Sequence, residues 1–222
     1  MIKMPDMLLK SFLDSILGKI KNDYTEAVDK STTFLYKMYN GLTEGNYVFL
    51  DEAIKIFNRT VDDPRTIDTR LLFDRERSNL PTVHVTIPAE TPHGDGIGMD
   101  EGYVANTADG ADPQTATSMT EYYTRGYNTK FELVITGSNT FEVTLIFYTI
   151  KAALINNIES LELNGFRNPK IYEVTGVMLN DGIQPVAYKR TLALDSYYEL
   201  IIPKFDSVSI VNSINFTGKA YD

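Results

Sequence analysis

The stretch that decides the fold is residues 127–166, YNTKFELVITGSNTFEVTLIFYTIKAALINNIESLELNGF. In its first part, apolar Phe131, Leu133 and Ile135 alternate with polar Lys130 and Glu132. Alternation with a period of two is typical of a strand that has one face in water. We therefore predict a strand over residues 130–136.

A helix is predicted directly after this strand. Asn139 stands three residues before Glu142, which is the spacing of a capping box with asparagine as the N-cap. Apolar residues then recur every three or four positions, as in an amphipathic helix: Val143, Ile146, Phe147, Ile150, Ala153, Leu154 and Ile158. We predict a helix over residues 140–157, about 27 Å long at about 1.5 Å per residue. Asn164 and Gly165 then stop the next run.

Composition narrows the classes of protein to consider. The 222 residues include no cysteine, which removes disulfides, thiolate metal sites and cysteine nucleophiles. The net charge is −9 and the pI is about 4.8. A nucleic-acid-binding surface needs a basic patch, so this charge argues against one. No apolar run approaches the roughly 20 residues that a membrane span needs.

The first 60 residues read as an N-terminal helical segment. An apolar stripe within residues 7–20 predicts an amphipathic helix, because charged residues interrupt it too often for a signal peptide. We expect this stripe to pack on its own domain rather than on a neighbouring subunit. A second helix is predicted over residues 24–39 and should end at Asn40-Gly41. Residues 46–57 are ambiguous between a strand and a short helix.

Residues 88–124 differ from the rest of the chain. A strand is predicted over residues 82–87, and Pro88 should end it. The segment that follows is rich in Gly, Ala, Thr, Asp and Pro, and no Lys or Arg occurs between Arg77 and Arg125. Its apolar residues are isolated and have no sustained period, so we interpret it as a long acidic loop. Long loops without secondary structure are often functional. Its candidate contact residues are Glu90, Asp95, Asp100, Glu101, Tyr103, Asp109, Asp112, Glu121, Tyr122 and Tyr123.

The C-terminal third is predicted to be mostly β. Candidate strands cover residues 170–179, 187–195, 197–202 and 208–216, and Asn180-Asp181-Gly182 has the chemistry of a hairpin turn. The expected fold class is therefore α+β, a mixed, largely antiparallel sheet packed with one long helix and preceded by N-terminal helices. Two domains are expected, a helical segment over 1–60 and an α+β domain over 61–222.

No catalytic, metal-binding or cofactor-binding constellation stands out, so we expect no enzyme and no cofactor. The two histidines are His84, on the polar side of a predicted strand, and His93, in the acidic segment. Acidic residues near His93 do not have the spacing of a zinc or calcium site. No nucleophile elbow, HExxH or P-loop motif is present. Carboxylates for a glycosidase are abundant, but no aromatic-lined cleft can be inferred and there is no tryptophan to stack on a sugar.

In the order and character of its elements, the chain resembles the neck and tail-terminator-like proteins of tailed bacteriophages. The resemblance covers about residues 80–203. It begins with PTVHVTIPAE and the acidic segment, continues with YYTRGYNTKFELVITGSN and TFEVTLIFYTIKAALINNIESLELNGFRNPKI, and closes with KRTLALDSYYELIIP. The shared features are strand, loop, strand, helix and sheet in that order.

The resemblance implies a structural virion protein, assembled in the host cytoplasm. Such proteins form a ring, and we expect a hexamer in preference to a dodecamer. The ring would join tail to head and line the genome path, with other neck, portal-side or tail proteins as partners. DNA would pass without specific binding, and no membrane would be involved. Residues 88–124 would then be an arm that faces the lumen or a neighbouring subunit.

Two alternatives from other classes remain open. One is a β-rich ligand-binding or adhesion module in which calcium orders the loop at 88–124. The other is a hydrolase with a pair of perturbed carboxylates in a cleft.

Overall fold

The computed structural model describes residues 4–60, 63, 65–71, 80–93, 101–105, 118–180 and 187–209. Only the backbone is described at residues 101–105, 118–124, 180 and 201–209. These residues belong to two compact units. The larger unit contains the described parts of Lys3–Pro92 and Tyr127–Tyr198. The smaller contains those of His93–Gly126 and Glu199–Asp222.

The N-terminal segment is helical, as predicted, but the break after its first helix lies further along the chain than predicted. The helices are α1 (Pro5–Glu26), a short 3-10 turn (Lys30–Thr32), α2 (Phe34–Tyr39) and α3 (Phe49–Phe57). The prediction of one helix over 24–39 is wrong, because Asp29 and Thr33 act as caps instead of continuing a helix. The Asp29 side chain accepts from the Ser31 N–H, and Thr33 accepts from the Tyr36 N–H. The ambiguous stretch 46–57 contains both a two-residue strand and α3.

Eight strands are described. β1 (Thr43–Glu44) and β2 (Tyr47–Val48) form a small hairpin. The other six form one sheet: β3 (Asp68–Leu71), β4 (Thr82–Pro92), β5 (Glu101–Ala105), β6 (Ser118–Gly137), β7 (Arg167–Asn180) and β8 (Ala187–Ser209). The order is β3-β4-β6-β8-β7, and β5 also pairs with β6. β3 is parallel to β4, whereas β4/β6, β5/β6 and β7/β8 are antiparallel. The predicted α+β class with a mixed, largely antiparallel sheet is confirmed.

The strand-to-helix unit at residues 130–156 forms as its sequence predicts. Phe131, Leu133 and Ile135 are fully buried. Helix α4 (Thr140–Asn156) follows, and the Asn139 side chain accepts the Glu142 N–H at 2.8 Å. The entry is tight, because a Cβ at Gly137 would lie 2.8 Å from Cγ2 of Val143. Helix α4 ends one residue earlier than predicted, and α5 (Ile158–Leu163) begins with the last residue of the predicted stripe.

Three β predictions need correction. Pro88 does not end β4, because a register shift between Thr86 and Ala89 places the proline in a bulge, where the missing N–H costs no ladder bond. The predicted strands 187–195 and 197–202 are parts of one strand, β8. The described residues of the predicted loop 88–124 lie in β4, β5 and β6, except His93.

In the larger unit, the buried apolar residues that the structure describes pack together as a hydrophobic core. α1 contributes Leu9, Leu13, Ile16 and Ile20 to the same buried cluster as α4 and strands β4, β6 and β8. The N-terminal stripe therefore packs on its own subunit, as expected. α4 is buried more widely than its stripe implies, since Tyr39 of α2 covers a second side of it and bonds to Thr149. The helical segment 1–60 thus shares its core with the sheet.

Candidate assembly surfaces

The β5–β6 hairpin brings together five of the ten candidate contact residues. An antiparallel ladder places residues of the two strands directly opposite each other. Its register pairs Glu101 with Tyr123 and Tyr103 with Glu121, and Tyr122 pairs with Gly102. Acidic and tyrosine positions are thus opposite one another along this ladder. The segment that the sequence presented as an irregular loop is a paired β element at these residues.

The other five candidates are divided between β4 and undescribed stretches. Glu90 lies on β4, is exposed, and accepts a hydrogen bond from the Thr129 hydroxyl at 3.1 Å. Asp95, Asp100, Asp109 and Asp112 lie outside the described residues. The structure therefore does not place these four acids.

The larger unit also presents an apolar edge strand, which the sequence interpretation missed. β7 is the last strand in the sheet order. Five of its apolar side chains are 38% to 50% exposed: Tyr172, Val174, Val177, Met178 and Leu179. Edge strands are normally protected by charges, prolines or short length. The sequence carried a signal for this, because Val177, Met178 and Leu179 are three successive apolar residues where a half-buried strand would alternate.

A charged clamp fixes β7 to β8 and α4. The Arg190 guanidinium donates to both carboxylate oxygens of Glu173, at 2.8 and 3.0 Å, and to the Tyr148 hydroxyl at 3.2 Å. It also stacks over the Phe147 ring at 3.9 Å from the centroid. The hydrogen bond from Arg190 holds the pKa of Glu173 below its usual value. The charged groups of this cluster are hydrogen-bonded to one another and to Tyr148, so we assign the cluster a structural role.

A second charged cluster closes the start of α4. Glu142 is 3% exposed and accepts from the Ser138 N–H and hydroxyl at 2.9 and 2.8 Å. Its other oxygen lies 3.5 Å from guanidinium nitrogens of both Arg59 and Arg65. A cavity of about 290 Å³ adjoins this cluster. Because the Glu142 carboxylate already occupies the anion position at the helix N-terminus, the cluster joins α3 to α4 rather than forming an open site.

A larger cavity, of about 360 Å³, lies where α1, α2 and the end of α4 meet. Its apolar lining includes Ile16, Ile20 and Phe34, and its charged lining includes Lys19 and Lys37. Asp23 also lines it, but its carboxylate accepts the Phe34 N–H at 2.7 Å. No constellation of nucleophile, base and orienting group is formed by these residues.

The remaining chemistry of the described part is sparse. Across the described residues, no group of three or more His, Asp or Glu side chains is arranged to hold a metal ion. His84 lies in β4 opposite Val134, and the backbone N–H of His93 donates to the Gly126 carbonyl. Among the helices that are described, none is both long and apolar enough to cross a bilayer.

No protein-family model matches the chain, and a search of curated proteins finds no match.

Proposed function

We propose that this chain is a structural subunit of the neck or tail end of a tailed bacteriophage, where copies assemble into a ring around the genome path. The single observation that carries the proposal is the β5–β6 hairpin. It builds residues 101–105 and 119–123 of the acidic, tyrosine-bearing segment into a paired ladder that belongs to the smaller of the two compact units. Such a ladder holds the two backbones in a fixed register, and in this proposal it is where a neighbouring subunit makes contact.

Residue type supports a contact role for this hairpin. Tyrosine buries a large ring while its hydroxyl keeps a polar partner, so it is enriched at protein interfaces. Tyr103, Tyr122 and Tyr123 all lie on the β5–β6 ladder. Glu101 and Glu121 are the register partners of two of these tyrosines, so acidic and aromatic positions alternate between the two strands.

Charge supports a position beside the genome. The chain carries a net charge of −9, and no cation occurs between Arg77 and Arg125. A like-charged wall repels the phosphate backbone and keeps passing DNA from adhering. A protein that grips DNA would need the opposite sign.

The test compares wild type with a double variant, Tyr103→Pro/Val104→Pro. Alternate N–H groups of an antiparallel strand face its partner, so two adjacent prolines remove at least one β5–β6 ladder bond. The matched control, Tyr103→Ser/Val104→Thr, keeps both N–H groups. Native mass spectrometry and negative-stain electron microscopy of the full chain give the readout. We expect rings of six wild-type subunits, fewer or no rings for the proline variant, and unchanged thermal melting of its core.

Two results would count against the ring. A wild-type chain that stays monomeric at every concentration, with amides 101–105 protected from hydrogen exchange, would contradict it. Micromolar calcium binding by calorimetry, with no assembly, would favour the adhesion-module alternative instead.

A further inference from the structure

Strand β7 has one side paired with β8, and no other described strand pairs with it. Its first part has ordinary edge protection, namely Arg167, Pro169 and Lys170. From Tyr172 to Leu179 the only charge is Glu173, and Arg190 already binds that carboxylate. This eight-residue segment, residues 172–179, is therefore an edge with exposed apolar side chains and no free charge of its own.

The pairing of β7 with β8 shows which of its side chains share a face. Tyr172, Thr175 and Met178 lie opposite Ala193, Thr191 and Lys189. These β8 residues are two apart, so they share one face of the sheet. The three β7 residues share that face too, although they are three apart, because each register shift adds one residue to β7. Ile171 and Leu179 lie opposite Leu194 and Tyr188, on the other face.

This arrangement is symmetric about Thr175. Tyr172 and Met178 are equally far from it on one face, and Ile171 and Leu179 are equally far from it on the other. A two-fold contact needs a surface that is complementary to itself. Two β7 strands running antiparallel, with the axis at Thr175, would place Tyr172 opposite Met178 and Ile171 opposite Leu179. The Ile171–Leu179 pair is apolar, and the other pair places Met178 beside the Tyr172 ring, whose hydroxyl already donates to the Asp195 carboxylate of its own subunit. Cross-strand aliphatic and aromatic pairs stabilise a sheet.

Gly176 gives independent support at the centre of the segment. A Cβ added there would meet no atom within 4 Å, and the backbone is not in the left-handed region. The subunit alone therefore has room for a side chain at this position. In the antiparallel register about Thr175, Gly176 lies opposite Val174 of the second strand, and glycine is the residue that lets another backbone approach closely.

We propose that a second copy of this chain pairs with β7 edge to edge, antiparallel, with the two-fold axis at Thr175. The contact is isologous and closes on itself, so by itself it makes dimers. It does not depend on the proposed ring. Where a ring also forms through another surface, the same contact would join two rings face to face.

Site-specific cross-linking tests the register, because the chain has no cysteine of its own. Tyr172→Cys and Met178→Cys are made separately, then mixed and oxidised. The register brings Cys positions 172 and 178 of different copies opposite each other, within the Cα separation of less than about 7 Å that a disulfide needs. Position 172 of one copy is about 13 Å from position 172 of the other, at about 3.3 Å for each of four β8 steps. We expect cross-linked dimers in the mixture and none from either variant alone.

Sedimentation of the full chain tests the surface. Met178→Lys introduces a charge into the pair, and Gly176→Leu fills the space needed by Val174 of the second copy. Each should raise the dimer dissociation constant at least tenfold, while circular dichroism shows an unchanged fold. Val28→Lys, on a fully exposed residue between α1 and the 3-10 turn, is the control and should leave the constant unchanged. A wild-type monomer at all concentrations would overturn the proposal, as would equal cross-linking of mixed and single variants or a dimer unaffected by both substitutions.

Discussion

Arg190 on β8 and Glu173 on β7 form a bidentate ion pair, with nitrogen-to-oxygen distances of 2.8 and 3.0 Å. Arg190 is 8% exposed and lies against the Phe147 ring of α4. The pair therefore joins the edge strand to both the next strand and the long helix. Edge strands have a ladder on one side only, so this side-chain contact carries more of the docking of β7 than it would in a central strand.

Replacement of Arg190 should destabilise the fold. Arg190→Met removes the bidentate bonds, the bond to Tyr148 and the stacking on Phe147, and we expect a loss of about 2 kcal/mol in the free energy of unfolding. Urea denaturation measures it. The control is Lys55→Met, which breaks the exposed pair with Glu52 and should leave stability unchanged. Equal effects of the two substitutions would show that burial of Arg190 adds nothing.

The same pair predicts a pH dependence. The hydrogen bond from Arg190 lowers the pKa of Glu173 in the folded state. A lowered folded pKa gives stability that is fully present above the unfolded pKa, about 4.3, and is lost as the pH falls through the folded value. The stability difference between wild type and Glu173→Gln should therefore shrink below about pH 4.3. Denaturant titrations from pH 7 to pH 3 measure this difference, and a constant difference over that range would contradict the assignment.

Asn139 and Glu142, at the start of α4, should contribute differently to the free energy of unfolding. Asn139→Ala removes one N-cap bond and should cost about 1 kcal/mol. Glu142→Ala keeps the N-cap bond but leaves the Arg59 guanidinium without its anion, and the Arg59 side chain is only 10% exposed. This change should cost roughly 2 to 4 kcal/mol.

Arg65→Ala is the control for the Glu142 cluster. The Arg65 side chain is 59% exposed, so its removal should cost less than about 1 kcal/mol. Thermal or urea unfolding of the three variants gives their ranking. If Glu142→Ala is no less stable than Asn139→Ala, water must solvate the Arg59 and Arg65 guanidinium groups once the carboxylate is removed.

The buried hydroxyl of Tyr39 predicts that the fold loses stability at alkaline pH. Its hydroxyl lies 2.7 Å from Thr149 Oγ1 and 3.1 Å from the Leu145 carbonyl, and burial raises the pKa of Tyr39 to about 12. A raised folded pKa gives stability that is present below the unfolded pKa, about 10, and is lost as the pH rises toward 12. Tyr39→Phe should cost about 1 kcal/mol at pH 7 and lose less stability than wild type above pH 10. Parallel alkaline unfolding curves for the two proteins would contradict this.

The local pattern of the sequence was sufficient for the core elements. The strand at 130–136, the cap at Asn139 and the helix from Thr140 follow from the period of the side chains and from one hydrogen bond between neighbours, so they could be predicted. The α1 stripe followed in the same way. The antiparallel pairing of β7 with β8 agrees with a turn predicted at Asn180-Asp181-Gly182, although Asp181 and Gly182 lie outside the described residues. The candidate contact residues were selected by composition. The β5–β6 ladder that gathers five of them was not predicted, because EGYVA and SMTEYYT show no sustained alternation of apolar and polar residues.

The sequence by itself thus determined which segments are helix or strand where periodicity is strong, and that the class is α+β. Tertiary structure alone decided what lies at the edges and between elements. Pro88 stays in a strand because a bulge absorbs it, and β7 is an edge because β8 takes the position next to β6. Glu142 is buried beside Arg59, 83 residues away along the chain. Such contacts depend on distance in space, which the spacing of residues along one segment does not encode.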